Sequence, residues 1–582
     1  MRRTLTALLL ASVAVAGAGP ACASSPAGAG GRFDRPQAGF AEPDAVLRPG
    51  SPREAGLDPA PIDAALRRVA AWTEVTPGRE HPMYAGAVAL LAHDGVVVRQ
   101  DAYGHEVRYA DGRGTELPPG EQEPMRPDTI FDVASITKLF TSIAVLQQVE
   151  DGDVGLDEPV ARYLPEFGSH GKGSITVRQL LTHTSGLQAE VRLWKLPPEE
   201  RIPHVMALTP EHPPGTSYEY SDPNMITLGV LVSRVAGEPL DQVVRQRITG
   251  PLGMVDTGYN PPASKRHRIA ATEFQADPPR GVVRGEVHDE NAWSLGGVAG
   301  EAGIFSTAHD LAVLGQALLN GGGYGDARLL DEDSVERMLT DFNGAFPGNA
   351  HGLGFELDQR WYMAGLSGPA SAGHTGYTGT SLVLDPRSRS VVVLLTNRVH
   401  PSREWGSNNE ARQAIAQGMA ESMAVRPSRG AQQWSAPATA PAELTTWELG
   451  PVAGPVQVSF DAFVDTQRDG DGADPLIVET SADGGASWRP VRVTARGDGA
   501  PEGPQQGLAG AGHRAWWEVE GFADARPGER LLLRWRYAPD ARYTGRGVQV
   551  DGIEVADRDR TLLDGELEPG AFTAEGWRLT ER

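Results

Sequence analysis

The chain has 582 residues, with 53 Lys and Arg against 76 Asp and Glu, for a formal net charge of −23. That length exceeds one ordinary domain, and 40% apolar residues with 12 Trp are enough for substantial cores. The acidic balance argues against nucleic-acid partners and against binding anionic membranes by charge alone. Cys22 is the only cysteine, which excludes an internal disulfide and cysteine catalysis in the mature chain.

The chain begins MRRTLTALLLASVAVAGAGPACAS, with Arg2 and Arg3 ahead of an apolar run from Leu5 to Ala18. The run is shorter than the ~20 residues of a membrane helix. It reads as an export signal over residues 1–23, with Ala21-Cys22-Ala23 as a small-x-small cleavage site before Ser24. Lipidation of Cys22 is the competing processing route, and Gly19-Pro20-Ala21 suits it poorly. The expected location is therefore secreted or associated with the cell envelope. Residues 24–50, rich in Gly, Ala and Pro, read as a flexible tether.

Asp58-Pro59 starts a helix by capping logic, with Ile62, Leu66 and Val69 on one face. Tyr84–His93 and Val96–Tyr103 are apolar runs joined by Asp94-Gly95, a hairpin signal. Phe131–Thr141, FDVASITKLFT, opens a helix through Ile136, Leu139, Phe140, Ile143 and Leu146. Helices and turns dominate to about residue 340. Strands return at Thr380–Leu384 and Val391–Thr396, around a turn at Asp385-Pro386, and Asn409–Met423 reads as a closing helix. Strands and a helix at both ends of one segment predict an α+β fold: an antiparallel sheet built from both ends and covered by helices, with a helical subdomain beside it. This unit spans residues 51–424. Residues 425–441 read as a polar linker, and residues 442–582, with strand alternation such as Val456, Val458, Phe460 and Ala462, as a separate all-β sandwich.

The chemistry centres on Ser135 and Lys138, three apart and so on one face of the helix start. Helix N-termini favour a developing oxyanion. Serine needs a neighbour to take its proton, and a buried lysine with a lowered pKa can do so. Ser169 and Lys172 share the spacing but lie in a Gly-rich loop with no helix to align them.

Three further stretches extend the pair: LLTHTSGL at Leu180–Leu187, PGTSYEYSD at Pro214–Asp222 and AGHTGYTGTSLVLDP at Ala372–Pro386. In order and spacing they resemble the class C β-lactamase and penicillin-binding serine hydrolase family, over roughly Gly50 to Met423. The string from Val287 to Ala312 resembles a subgroup close to penicillin-binding D-Ala-D-Ala carboxypeptidases. The resemblance implies Ser135 as the acylated nucleophile, Lys138 as its partner and Tyr220 as the tyrosine of a Tyr-x-Asn motif. It implies His374-Thr375-Gly376 as the substrate-facing strand motif and an oxyanion hole from the N–H groups of Ser135 and Tyr377. Either Lys138 or Tyr220 suits the role of base. Two positions depart from the pattern. Asp222 stands where the family usually has Asn, so a hydrogen-bond donor to substrate is lost, and its charge favours the cationic form of Lys138, which weakens the lysine as a base and shifts weight to Tyr220. His374 replaces the lysine of class C β-lactamases, and only in its protonated form, expected toward mildly acidic pH, does it hold a carboxylate well.

His183 is expected to serve packing. Glu286, His288, Asp289 and Glu290 lack the i, i+4 histidine pair of zinc hydrolases, and neither metal nor cofactor is expected. Asp465–Asp474 reads as a solvated acidic loop rather than a calcium site. Leu476–Trp488 and Arg546–Val555 resemble jelly-roll sandwiches appended to secreted hydrolases. Trp516, Trp517 and Trp535 suit core packing better than sugar stacking, with carbohydrate or cell-wall contact as the alternative. The expected function is an exported serine hydrolase working through a Ser-x-x-Lys acyl-enzyme, carboxypeptidase-like on cell-wall peptides or related amides, with β-lactams as acylating ligands. The alternatives are a β-lactamase or esterase of the same family, or a non-catalytic penicillin- or peptide-binding sensor.

Overall fold

The structure is a computed structural model that describes residues 31–467, 473–540, 545–558 and 560–581. The expected export signal, the processing of Cys22 and part of the acidic loop lie outside the described residues. Helix α1 (Pro59–Ala71) starts where capping logic places it: the Asp58 carboxylate accepts from Ala60 N at 3.0 Å, and Ile62, Leu66 and Val69 are buried. Strands β1 (Gly86–His93) and β2 (Val96–Val107) form a hairpin whose two turn residues, Asp94 and Gly95, both take positive φ. A two-residue turn that matches strand twist requires that conformation. Helices α2 (Thr137–Glu150), α3 (Asp222–Ala236) and α4 (Ala308–Leu319) follow. The chain then returns as β3 (Ala372–Gly376), β4 (Thr380–Asp385), β5 (Ser390–Thr396) and α5 (Asn409–Ser422).

The strands pair antiparallel in the order β2-β1-β5-β4-β3, so early and late segments share one sheet. The period-2 alternation divides β1 between two cores. Val88, Leu90 and Ala92 pack with residues of α2 and α4, whereas Ala87, Ala89 and Leu91 pack with residues of α1 and α5. Both faces are covered, which is why β1 reads as a continuous apolar run rather than an alternating one. Gly418 lets α5 approach α1: a Cβ there would meet Ala65 Cβ at 2.6 Å. No helix among the described residues is long and apolar enough to cross a membrane.

Beyond α5 the chain forms two further sheets. In one, Val456–Asp465 lies between Trp516–Ala523 and Gly547–Asp557; in the other, Leu532–Tyr537 lies between Leu476–Ser481 and Ala442–Thr446. Trp517 and Trp535 fill the core between them.

Three boundaries differ from the sequence reading. Residues 31–50 are not a free tether. Phe33 N donates to Ala424 O at 2.7 Å, the Phe33 ring is buried against Phe463 at 6.2 Å, and Arg48–Pro49 pairs in parallel with Val96–Val97. Composition reported chain flexibility, but the buried Phe33 ring and main-chain bonds such as Gln37 N to Arg387 O and Ala41 N to Leu319 O anchor the stretch. The polar linker includes Gln433–Ala436, a strand of the sandwich paired with Gly547–Asp557. The sandwich is also not separate from the hydrolase unit. Phe463 and Trp516 belong to the core containing α1 and α5. Arg514 pairs with Asp385, the last residue of β4, at 2.6 Å, with both side chains 1% exposed, and Arg546 Nη1 donates to Met423 O at 2.8 Å.

Removing one partner of a buried ion pair leaves an uncompensated charge. Arg514→Leu is expected to lower unfolding stability by about 3–5 kcal/mol, and adding Asp385→Leu to recover part of that loss. Denaturant titration checks both. A chain ended after Met423 strips Phe33 of its cover and is expected to lose its cooperative thermal transition.

Candidate active site

Phe131–Asp132 pairs antiparallel with Ile304–Ser306, which fixes the approach to Ser135. Ala134 then takes φ 47°, a left-handed conformation unfavourable for a residue with a Cβ. Asp132 holds it there: one carboxylate oxygen accepts from Ala134 N at 2.8 Å and the other from His288 N at 2.6 Å. Ser135 sits in a short 3-10 turn, Ala134–Ile136, and the α-helix proper begins at Thr137 rather than at Ser135. The serine hydroxyl still meets the lysine, because the i, i+3 offset holds across the junction.

Lys138 is 1% exposed, and its ammonium has three acceptors: Ser135 Oγ at 2.9 Å, the Glu301 carbonyl at 3.1 Å and Asp222 Oδ1 at 2.8 Å. Burial opposes the charge, but the Asp222 carboxylate and then Tyr220 outweigh it and hold Lys138 above its ordinary pKa. An ammonium has three N–H donors, and all three are occupied. Asp222 thus favours the charged form of Lys138, the effect its place in the Tyr220-x-Asp222 run leads one to expect, and the lysine is a saturated cation.

The Tyr220 phenol faces Ser135 and Lys138, with the ammonium 4.9 Å from its ring centroid. Burial raises its pKa and the Lys138 charge partly offsets the rise. His183 packs against Tyr220 at 4.7 Å and accepts from Ser221 N at 3.0 Å through Nδ1. That bond places its proton on Nε2, and burial holds the ring neutral. His183 orients the start of α3, as packing logic expects.

The opposite wall is β3. Thr378 Oγ1 donates to Asp132 O at 2.7 Å and Thr380 Oγ1 to Val133 O at 3.1 Å, which ties the β3–β4 turn to the serine turn. Gly376 sits in the junction, where a Cβ would collide with Val133 O and Thr380 Oγ1. Thr375 is half-buried, and Tyr377 is exposed at the rim. Neither Ser135 N nor Tyr377 N donates to a partner among the described residues. His374 is buried, with Nδ1 on Thr375 O at 2.8 Å. Burial, followed by Lys138, pulls its pKa down to about 3. The expected strengthening of carboxylate binding at mildly acidic pH is thus overturned, because the ring stays neutral there.

Ser169 and Lys172 do not form a second site. Ser169 Oγ turns to Glu166 O, and Lys172 donates to the Ser169 and Leu208 carbonyls. Glu286, His288, Asp289 and Glu290 diverge to Arg280, Glu273, Ala292 N and Arg403 in turn.

The structure adds residues that motif spacing did not single out for the site. Glu301 supplies a carbonyl to Lys138, and its own carboxyl, 1% exposed, has no partner among the described residues. Burial, with Asp289 and Asp222 nearby, holds that carboxyl well above the usual range. Asp289 is pushed up to about 6 by burial and by Asp222. Both residues lie in the Val287–Ala312 string, which carried a resemblance but no role. Asp132 lies three residues before Ser135 in the same motif, and its own signal was an acidic residue in an apolar run.

A family model described as "Beta-lactamase" matches residues 74–417, more than half of the chain. The chain belongs to the beta-lactamase family. As a member of it, the protein is a serine hydrolase, and its C-terminal sandwich lies beyond the match. A relative in Escherichia coli (strain K12) named "Putative D-alanyl-D-alanine carboxypeptidase" is 31% identical over 390 residues, which cover 61% of this chain and 86% of the relative. A relative of the same name in Salmonella typhimurium (strain LT2) is 32% identical over 399 residues, covering 62% of this chain and 88% of the relative. Among solved structures, a penicillin-binding protein homologue from Caulobacter crescentus aligns over 62% of this chain and 97% of its own, with a TM-score of 0.48 and 23% identity.

Gly376→Ala forces β3 away from the serine turn. The expected result is a stability loss of about 1–3 kcal/mol, as for other overpacked sites, together with slower labelling by a reactive phosphonate. Thermal melts and labelling kinetics check it.

Proposed function

We propose that this family member works through an acyl-enzyme on Ser135 and acts as a D-Ala-D-Ala carboxypeptidase-like hydrolase of cell-wall peptides or related amides, outside the cytoplasm. The observation that carries the reading is the Lys138 ammonium shared between Ser135 Oγ and Asp222. The names of the relatives support the substrate class. Tyr220 is the base in this reading, through the phenolate form that the Lys138 charge favours against burial, since Lys138 already uses all three N–H bonds. Ser135 Oγ attacks the carbonyl carbon and its proton passes to Tyr220. The tetrahedral oxyanion lies against the N–H groups of Ser135 and Tyr377. On collapse the C–N bond breaks and the leaving amine takes the proton from Tyr220. Water then repeats the sequence on the acyl-enzyme. Two such N–H donors supply roughly 3–4 kcal/mol each.

A second reading, ester hydrolysis, is favoured by one feature. Asp222 neutralises Lys138 and His374 stays neutral, so this wall of the cleft attracts a substrate carboxylate weakly.

Ser135→Ala is expected to abolish labelling by a reactive phosphonate with little change in the melt, and retained labelling overturns the acyl-enzyme reading. Asp222→Asn tests the base. The Asp222 charge raises the Tyr220 pKa, so its removal lowers that pKa and should move the acid limb of kcat/KM to lower pH. An unmoved limb removes Tyr220 from the role. Asp222→Asn with His374→Lys should raise cephalosporin turnover relative to ester turnover by about tenfold or more, as relief of a 1–3 kcal/mol mismatch predicts.

A further inference from the structure

We infer that Arg412 is a positioning residue for the oxyanion donor. Its guanidinium caps the Gly376 carbonyl, and so aims and polarises the Tyr377 N–H of the same peptide unit. The inference rests on the acyl-enzyme reading of Ser135.

Arg412 lies in the first turn of α5 and is 7% exposed. Its Nη2 donates to Gly376 O at 2.8 Å and to Thr380 O at 3.0 Å, and Nη1 donates to Asn409 Oδ1 at 2.9 Å. It forms no ion pair with a carboxylate among the described residues. A cation taken out of water without an ion pair is costly. Burial lowers its pKa only to about 10, so it remains charged at neutral pH. The charge is therefore spent on two main-chain carbonyls that bracket the β3–β4 turn.

A trans peptide points its C=O and N–H in opposite directions. Gly376 O faces the turn, where Gly379 N reaches it at 3.0 Å, and Arg412. The Tyr377 N–H must then face away from β4, past the outer edge of β3 beyond its pairing with Glu356–Leu357 at Ala372 and Gly373, where it has no protein acceptor among the described residues. A cation on the carbonyl end draws electron density from the N–H end, the cooperative strengthening seen in hydrogen-bond chains. Arg398 fixes the next unit: its Nε donates to Tyr377 O at 2.9 Å, and its guanidinium lies 4.5 Å from the Tyr377 ring. Consecutive carbonyls are thus held by two arginines, and the intervening N–H is left for substrate.

A residue that only staples α5 to the sheet would have the same contacts, so the test separates aim from stability. Ester hydrolysis by Arg412→Met and Arg412→Lys is measured per active site titrated with phosphonate, alongside inhibition by a boronic acid. Arg412→Met is expected to lower kcat about tenfold to a hundredfold, less than outright loss of an oxyanion donor. KM should stay within about twofold, and boronate affinity should fall in parallel with kcat. Arg412→Lys should recover part of both. A lower melting temperature with unchanged kcat per site and unchanged boronate affinity overturns the inference. If Arg412→Met does not fold, Asn409→Ala frees Nη1 and should give a smaller parallel fall; no fall overturns the inference equally. Failure of the acyl-enzyme reading is recognised separately, by phosphonate labelling that survives in Ser135→Ala.

Discussion

A buried ammonium must satisfy three N–H bonds at once, and the site is built around that demand. Lys138 meets it with acceptors from three separate segments, at Ser135, Asp222 and Glu301. No local structure brings those positions together, so α2, α3 and the segment before Ile304–Ser306 have to pack in one arrangement. Removing any acceptor leaves a donor in a place water reaches poorly, which is costly. The same demand sets the electrostatics. Asp222 holds Lys138 charged, so the lysine steadies other groups instead of taking a proton. Burial, with two further carboxyls close by, pushes the Glu301 carboxyl well above the usual carboxylate range. The cleft therefore contains little free positive charge to attract an anionic substrate.

The opposite wall depends on backbone placement rather than side-chain charge. Ala134 is held in a left-handed turn by Asp132, and Thr378 and Thr380 tie the β3–β4 turn to that same segment. Gly376 permits the contact because it has no Cβ. The sandwich reaches this wall from behind. Arg514 holds Asp385 at the end of β4, and β4 is the strand paired with β3. An appended domain thus braces the sheet that carries half of the site.

Much of the fold was legible because short-range physics writes it into the chain. Asp58-Pro59 marked the start of α1, Asp94-Gly95 the hairpin, and the β4 and β5 runs the central strands. Each follows from periodicity, capping or turn chemistry within a few residues. Phe33 was not legible, since Phe33 and Phe40, isolated in a Gly- and Pro-rich stretch, carry no helical or strand period. Arg514 and Asp385 were not legible as partners either. They are 129 residues apart, and each alone reads as an ordinary surface charge.

The site divides along the same line. The sequence by itself determined which groups are present and which are neighbours on one element: Ser135 with Lys138, the Tyr220-Ser221-Asp222 run, and His374-Thr375-Gly376. Spacing of two or three residues along the chain fixes such relations without a tertiary structure, on a helix start, a strand or the loop that caps α3. The effect of Asp222 on the charge of Lys138 was legible in the Tyr220-x-Asp222 run. Only the tertiary structure decided the other charge states and the roles of residues outside the motifs. That His374 stays neutral and that Glu301 and Arg412 enter the site follows from contacts with distant segments. The physical reason is that burial and through-space charge, which set those states, depend on what the rest of the chain packs around each group.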